Sequence, residues 1–243
     1  MIGGGLLGRI TAPLRVERDE LIDSPHLSAV DLDQSFSDIR RINKLLGGIA
    51  VIRRELDPLL EAAQTMTMLD LGTGTADIPL AMIRRSRSRG KRLQAVGLDS
   101  NATIAHIAKR EAIGDPDLRL VTGEAGQLPF PEKSFDLVTC SLTFHHFSDS
   151  LAVSALREMH RVARRAVIVN DLQRGYLPAC LIWVVTRLTL MHPLTCHDGP
   201  LSVMRSRTLS EYRDLGSRAG FPNAQVRSHP FWRAALVVIK EPE

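Results

Sequence analysis

The sequence predicts an α/β fold: a doubly wound, mostly parallel sheet of seven strands, with an antiparallel C-terminal strand and helical additions. Three observations predict it. Short apolar runs alternate with helical patterns from residue 67 onward. The first run, Thr67–Leu71, bends through Gly72 and Gly74 and leaves as a helix. That is how a buried parallel strand reads when its following turn must come close to a ligand. Near the end, Ala224–His229 and Ala234–Ile239 flank Pro230, as an antiparallel pair closing the sheet would.

At 243 residues the chain has room for one α/β domain and an appendage. Its 44% hydrophobic and 24% charged content is that of a soluble globular protein. Much of the +4 net charge sits in one run, Arg84 to Arg92, read as a solvated loop rather than a nucleic-acid patch. Cys140, Cys180 and Cys196 are scattered without a Cys-x-x-Cys spacing. This fits a reducing compartment and neither a zinc site nor a disulfide frame. Met1–Gly8 lacks a charged lead and is too short for a signal peptide. The expected location is cytoplasmic.

Residues 1–30 carry little signal and are expected to drape loosely over the surface. Asp31 and Gln34 pair as a helix start. Phe36, Ile39, Ile42, Leu46, Ile49, Ile52, Leu56 and Leu59 then recur at steps of three and four. Gly47-Gly48 divides this amphipathic stripe into two helices, and 1–64 reads as an N-terminal segment with cap helices. The core, 65–243, continues with a helix from Asp77 to about Ser86 and a second strand, Leu93–Asp99. A helix from Asn101 to about Ala112, capped by Ser100 or Asn101, precedes a third strand, Leu118–Thr122. Ser134–Ser141 is the fourth strand, and a helix from about Leu151 to Ala163 leads to the fifth, Ala166–Asp171. An insertion at about 173–207 carries the apolar run Tyr176–Met191, too short and too interrupted by Arg187 to span a membrane. It reads as a core helix, or as a helix that caps a pocket or rests on a membrane surface. Thr208 and Glu211 form a capping box for the last helix.

The glycine turn also limits its ligand. A dinucleotide fingerprint wants glycine where Asp77 stands, and a carboxylate in the first helical turn repels a pyrophosphate. That argues against NAD, FAD and ATP. Asp99, at the end of the second strand, is placed to accept two hydrogen bonds from a ribose diol.

Leu69-Asp-Leu-Gly-Thr-Gly-Thr-Ala76 resembles the first motif of class I S-adenosylmethionine (AdoMet)-dependent methyltransferases. Ala76 replaces the usual third glycine and is expected to cost little. Gly123–Phe130 resembles the family's adenine-binding loop, with Glu124 where Asp is commoner, and Phe135-Asp-x-Val138 is another hallmark. The resemblance covers about Met66 to Lys240. It implies a Rossmann-like fold and S-adenosyl-L-methionine as cofactor, bound by Asp70, Gly72, Thr73, Gly74, Asp99, Ser100, Glu124, Ala125 and Ser141. It also implies that the N-terminal helices and the insertion roof the substrate, Leu181, Ile182, Trp183 and Val185 among them.

Methyl transfer is largely positioning, helped by a base where the acceptor loses a proton. His145 and His146 leave the fourth strand and Asp171 leaves the fifth. An Asp beside a His fixes its tautomer and supports the imidazolium. Resemblance to antibiotic- and sugar-tailoring methyltransferases points to His145 with Asp171; His192 and His197 are weaker candidates. No histidine–acid cluster has metal-ligand spacing, so metal-independent transfer is expected. Ser141-Leu-Thr-Phe144 stands where base-amine methyltransferases carry Asp/Asn-Pro-Pro-aromatic, and Cys140 lies in an apolar strand without a preceding proline. Nucleic acid is therefore not an expected partner. The expected function is O-methylation of a small apolar, aromatic or polyketide-like acceptor in secondary metabolism. C-methylation of a quinol-like ring, as in ubiquinone/menaquinone methyltransferases, and a non-catalytic AdoMet-fold partner are the alternatives. A nicotinamide-dependent reductase conflicts with Asp77.

Overall fold

The computed structural model describes residues 12–24, 26–61, 63–111 and 114–240, so the expectation for Met1–Gly8 lies outside the described residues. Seven strands form one sheet: β1 (Thr65–Leu71), β2 (Arg92–Asp99), β3 (Leu118–Thr122), β4 (Phe135–Ser141), β5 (Ala163–Leu172), β6 (Gln225–His229) and β7 (Arg233–Ile239). Their order is β3-β2-β1-β4-β5-β7-β6. β1 to β5 are mutually parallel, and β7 runs antiparallel between β5 and β6. Strand order reverses between β1 and β4, so a crevice opens at their carboxyl ends. The glycine turn and the histidine pair both leave the sheet there.

Alternation along each strand divides the core in two. Met66 and Met68 of β1 face α2 (Gly48–Glu61) and α3 (Asp77–Arg87) together with Ala166 and Ile168 of β5. Leu69 and Leu71 face the opposite way, toward α5 (Asp149–Val162) and α8 (Leu209–Arg218). A sheet covered on both sides reads as nearly continuous apolar runs, which is why period-two alternation is invisible in β4 and β5. Each fully buried Leu, Ile or Val contributes about 1.5–3 kcal/mol.

Several boundaries differ from expectation. The first long helix, α1 (Ala29–Leu45), is capped by Ser28, whose hydroxyl accepts from Asp31 N at 3.1 Å. Asp31 is therefore the third helical residue rather than the start. β5 begins at Ala163, directly after α5, so Arg164 and Arg165 lie within the strand. They are accommodated because both approach Asp136, at 3.8 and 3.6 Å. The insertion forms two helices, α6 (Tyr176–Leu188) and α7 (Pro193–Arg205), where the apolar run disclosed one. Pro193 sits in the first turn of α7, where its missing N–H is harmless. Between β2 and β3, α4 (Ala102–Glu111) occupies the expected place.

Residues 13–23 are not loosely draped. Val16 N donates to Met204 O, Leu21 N and Ile22 N donate to the Asp198 carboxylate, and Arg174 holds Pro13 O at 2.7 Å. Extended chain pinned by distant partners has no period to read. Ala76 also departs from expectation: at φ 62° it occupies the left-handed region, which costs a side-chain-bearing residue about 1–2 kcal/mol.

The capping box of α8 is complete, Thr208 Oγ1 accepting from Glu211 N and Glu211 Oε2 from Thr208 N. Thr208→Ala should lower stability by about 1 kcal/mol, read as a reduced urea midpoint at unchanged slope.

Candidate active site

One cavity of about 680 Å³ runs along the carboxyl edge of the sheet. Its floor is the β1–α3 turn. Thr73 N donates to Leu98 O, and Thr73 Oγ1 donates to Asp70 at 2.9 Å. Asp70 also accepts from Thr139 Oγ1 at 2.6 Å, which ties β1 to β4 beneath the turn. Gly72 takes φ 63°, and a Cβ there would stand 2.4 Å from the Thr143 side chain. No larger residue fits. Asp99 clips the turn to β2, accepting from Gly74 N at 2.9 Å and from Asn101 N at 3.0 Å. Each oxygen keeps further lone-pair capacity toward the cavity.

All nine residues expected to bind cofactor line this cavity: Asp70, Gly72, Thr73, Gly74, Asp99, Ser100, Glu124, Ala125 and Ser141. Its charge suits a cation better than a phosphate. Burial pushes the Asp70 carboxyl up to about 7, and pushes Asp77 and Asp99 above the usual carboxylate range. Asp70 is raised further by the two other carboxylates. A sulfonium or ammonium group would relieve that crowding, whereas a pyrophosphate would add to it. This donor set fits AdoMet.

Opposite the turn, the chain leaves β4 through Leu142, at φ 53°, into a short helical turn at Phe144–His146. Asp171, fully buried in β5, accepts from His145 N and from His145 Nδ1, both at 2.8 Å. Burial pushes the Asp171 carboxyl up, but His145 outweighs it and the net shift is downward. An ionised Asp171 can only accept, so the proton stands on Nδ1 and the lone pair on Nε2. His145 lines the cavity; Asp171 lies behind it. Three arginines take the outward carbonyls of this turn: Arg207 binds Phe144 O, Arg15 binds His145 O, and Arg205 reaches His146 O.

His192 and His197 have other partners. His192 caps α7, and His197 pairs with Asp198 at 2.7 Å. Neither lines the cavity. Trp183 also faces away, its ring beneath the Arg187 guanidinium at 4.3 Å, while Leu181, Ile182 and Val185 do line the cavity. The tryptophan at the cavity is Trp232. With Phe231 it forms the β6–β7 turn at φ 60° and 51°, a left-handed pair normally given to Asn-Gly. Two bulky aromatics held in such strain at a cavity are a functional signal that only backbone geometry carries.

Sequence reasoning also missed Glu20 and Arg233. Glu20 is buried against His145, burial raising its carboxyl to about 7. Arg233, fully buried and lining the cavity, donates to Leu46 O, and burial lowers it to about 10. A charged residue two steps after Phe231 was a visible anomaly in an apolar strand. Glu20 left no such mark.

Residues 68–166 match the family model described as a methyltransferase domain. Demethylmenaquinone methyltransferase of Staphylococcus epidermidis is 33% identical over 123 residues, 51% of this chain and 49% of its own. The Thermus thermophilus enzyme of the same name is 37% identical over 125 residues, 50% of this chain and 54% of its own. The chain thus spans about half the length of the curated relatives it matches. A SAM-dependent methyltransferase from Aquifex aeolicus shares the fold, with TM-score 0.58 at 15% identity over 88% of this chain and 98% of that one.

Asp70 supplies a pH signature. Its carboxyl moves from 3.8 to about 7 on folding, so between those values the folded chain holds a proton that the unfolded chain releases. Stability of the ligand-free protein should fall as pH rises through that window, by on the order of 4 kcal/mol at most. Asp70→Asn should flatten that part of the profile in thermal melts taken between pH 4 and pH 8.

Proposed function

We propose that this chain, whose core is a class I S-adenosylmethionine-dependent methyltransferase domain of the small-molecule type, methylates a hydroxyl of a small apolar, aromatic or polyketide-like acceptor. One observation carries the reading: His145, held by Asp171, opens onto the same cavity as the glycine turn and Asp99. AdoMet, when bound, supplies an electrophilic methyl group on a sulfonium. The chain's own residues do the rest. Gly72, Gly74, Asp99, Ser100, Glu124, Ala125 and Ser141 form the cofactor end, and Asp70 with Thr73 keeps the turn rigid. Phe36, Ile39, Ile42, Leu181, Ile182 and Trp232 enclose the acceptor end and exclude water. His145 Nε2 takes the acceptor's proton while Asp171 supports the imidazolium.

The cap therefore comes from both additions, α1 of the 1–64 segment and α6–α7 of the 173–207 insertion. No helix among the described residues is long and apolar enough to cross a membrane. α6 does turn Leu177, Trp183, Val184 and Leu188 outward. We assign this face to peripheral contact with a membrane surface.

A second reading is favoured by the relatives named demethylmenaquinone methyltransferase. The same base would ionise a ring hydroxyl, and the neighbouring ring carbon would take the methyl. Both readings need His145, and they differ in the product. Incubation with methyl-labelled AdoMet and phenolic, polyketide and naphthoquinol acceptors, followed by product NMR, separates them. An O-methyl signal supports the first reading and a C-methyl signal the second; absence of transfer to every acceptor would point to a non-catalytic AdoMet binder.

His145→Ala should lower kcat by about 10²–10⁴-fold with AdoMet affinity unchanged by calorimetry, and Asp171→Asn should do so more mildly. An acceptor supplied already ionised should restore the variant's rate. Full turnover by His145→Ala on a protonated acceptor would overturn the assignment. Trp232 fluorescence should respond to acceptor, and in a Trp232→Phe background the outward-facing Trp183 should not.

A further inference from the structure

Three side chains from two distant parts of the chain converge beside the cavity, and with Glu20 ionised only acceptor atoms face one another. Glu20 stands on the extended segment before α1, and His145 and His146 on the turn after β4. One ligand atom from each lies within 4.8 Å of the other two. His145 Nε2 is 3.5 Å from Glu20 Oε1, and His146 Nε2 is 3.8 Å from Glu20 Oε2. The other nitrogen of each ring is already engaged: His145 Nδ1 with Asp171 at 2.8 Å, His146 Nδ1 with Asp23 at 3.0 Å. A carboxylate holds each Nδ1 proton, so both Nε2 lone pairs are left pointing toward Glu20. With Glu20 ionised, two lone pairs and a carboxylate cannot satisfy one another.

Glu20 shows the mismatch directly. It is only 5% exposed, yet its Oε1 has no hydrogen-bond partner among the described residues. Its Oε2 accepts from Ser202 Oγ at 2.8 Å. Arg205 Nε lies 3.7 Å from Oε1, beyond hydrogen-bond distance, and its terminal nitrogens are committed to Arg18 O and His146 O. A buried, unpaired carboxylate oxygen is costly. Asp23 also approaches this guanidinium at 3.7 Å, so one cation faces two carboxylates.

We propose that Glu20, His145 and His146 form a site for a divalent transition-metal cation of the zinc class, with its open positions toward the cavity. Two imidazoles and one carboxylate are a ligand set such cations take, leaving room for an exogenous oxygen. Each histidine already has the carboxylate partner on its second nitrogen that orients a metal-bound imidazole. Ligands about 2.0–2.2 Å from a zinc ion stand roughly 3.3 Å apart, so rotamer changes of about 1 Å close the set. A bound cation takes the His145 lone pair out of proton abstraction and presents its free positions to an acceptor oxygen.

The test uses the full chain without AdoMet or acceptor, so that its failure and failure of the proposed methyl transfer are distinguishable. Co²⁺ is titrated while visible absorption is followed, and Zn²⁺ by calorimetry. The expected result is one cation per chain with the ligand-field bands of a low-coordinate nitrogen–oxygen site. Glu20→Gln and His146→Ala should abolish it. Because Glu20 is buried and its variant could fail to fold, Asp23→Asn is the surface control: it should raise the dissociation constant about 10–100-fold by freeing His146. His192→Ala, on a histidine outside the cluster, should leave binding intact. Absence of stoichiometric binding, or binding indifferent to both Glu20→Gln and Asp23→Asn in folded protein, overturns the site.

Discussion

Asp171 is the constraint on which the rest of the site depends. A fully buried carboxylate must be paired, and Asp171 takes the His145 backbone N–H, the His145 ring N–H and Leu172 N. To deliver two donors to one carboxylate, the chain leaving β4 must fold back at once over the end of β5. The tight turn Phe144–His146 follows from that demand. Its N–H groups point in, so its carbonyls point out, and those would be orphaned without Arg15, Arg205 and Arg207. These arginines come from the N-terminal segment and the end of the insertion. Two additions to the sheet are thereby fastened to the turn that carries His145.

The α1 side of the cavity obeys a different constraint. Along α1 the fully buried positions include Ser35, Asp38 and Asn43, whereas Phe36, Ile39, Ile42 and Leu46 are only partly covered. The apolar stripe faces the cavity instead of the core, and the polar residues beneath it are paired. Ser35 meets Thr195, Asp38 accepts from His192 N, and Asn43 donates to Asp77. An apolar face left open against a cavity is what an apolar acceptor requires. The strained Phe231–Trp232 turn closes the same wall from the sheet side.

Charge separates the two ends. Around the glycine turn the carboxylates Asp70, Asp77 and Asp99 are crowded and desolvated, an arrangement that disfavours phosphates and favours a cationic cofactor. Around His145, Asp171 and Asp23 are each paired with an imidazole Nδ1, while Glu20 faces the Nε2 side of both rings. The histidines have their tautomers set by that pairing, which leaves the Nε2 lone pair of each free.

By itself the sequence determined the sheet, its winding and the glycine turn with Asp99 on the cavity floor. Those features are local: apolar runs of strand length, a glycine turn between strand and helix, an acid at a strand end. Backbone sterics and burial impose them within a dozen residues, and Gly72, Asp99 and the capping box of Thr208 are legible for that reason. Even His145 and Asp171 were readable, because parallel neighbouring strands bring their carboxyl ends together. Only the tertiary structure decided the remainder. Glu20 reaches His145 across more than a hundred residues of chain, on a segment held by distant partners in α7, in the turn after β4 and at Arg174, which leave no period. Trp183 and Trp232 exchanged roles because helix rotation and a left-handed turn, neither encoded in composition, choose which face meets the cavity. Ala76 holds its left-handed conformation against its own preference because the turn around it is tied down by Asp70, Thr73 and Asp99, contacts that exist only once the sheet has formed.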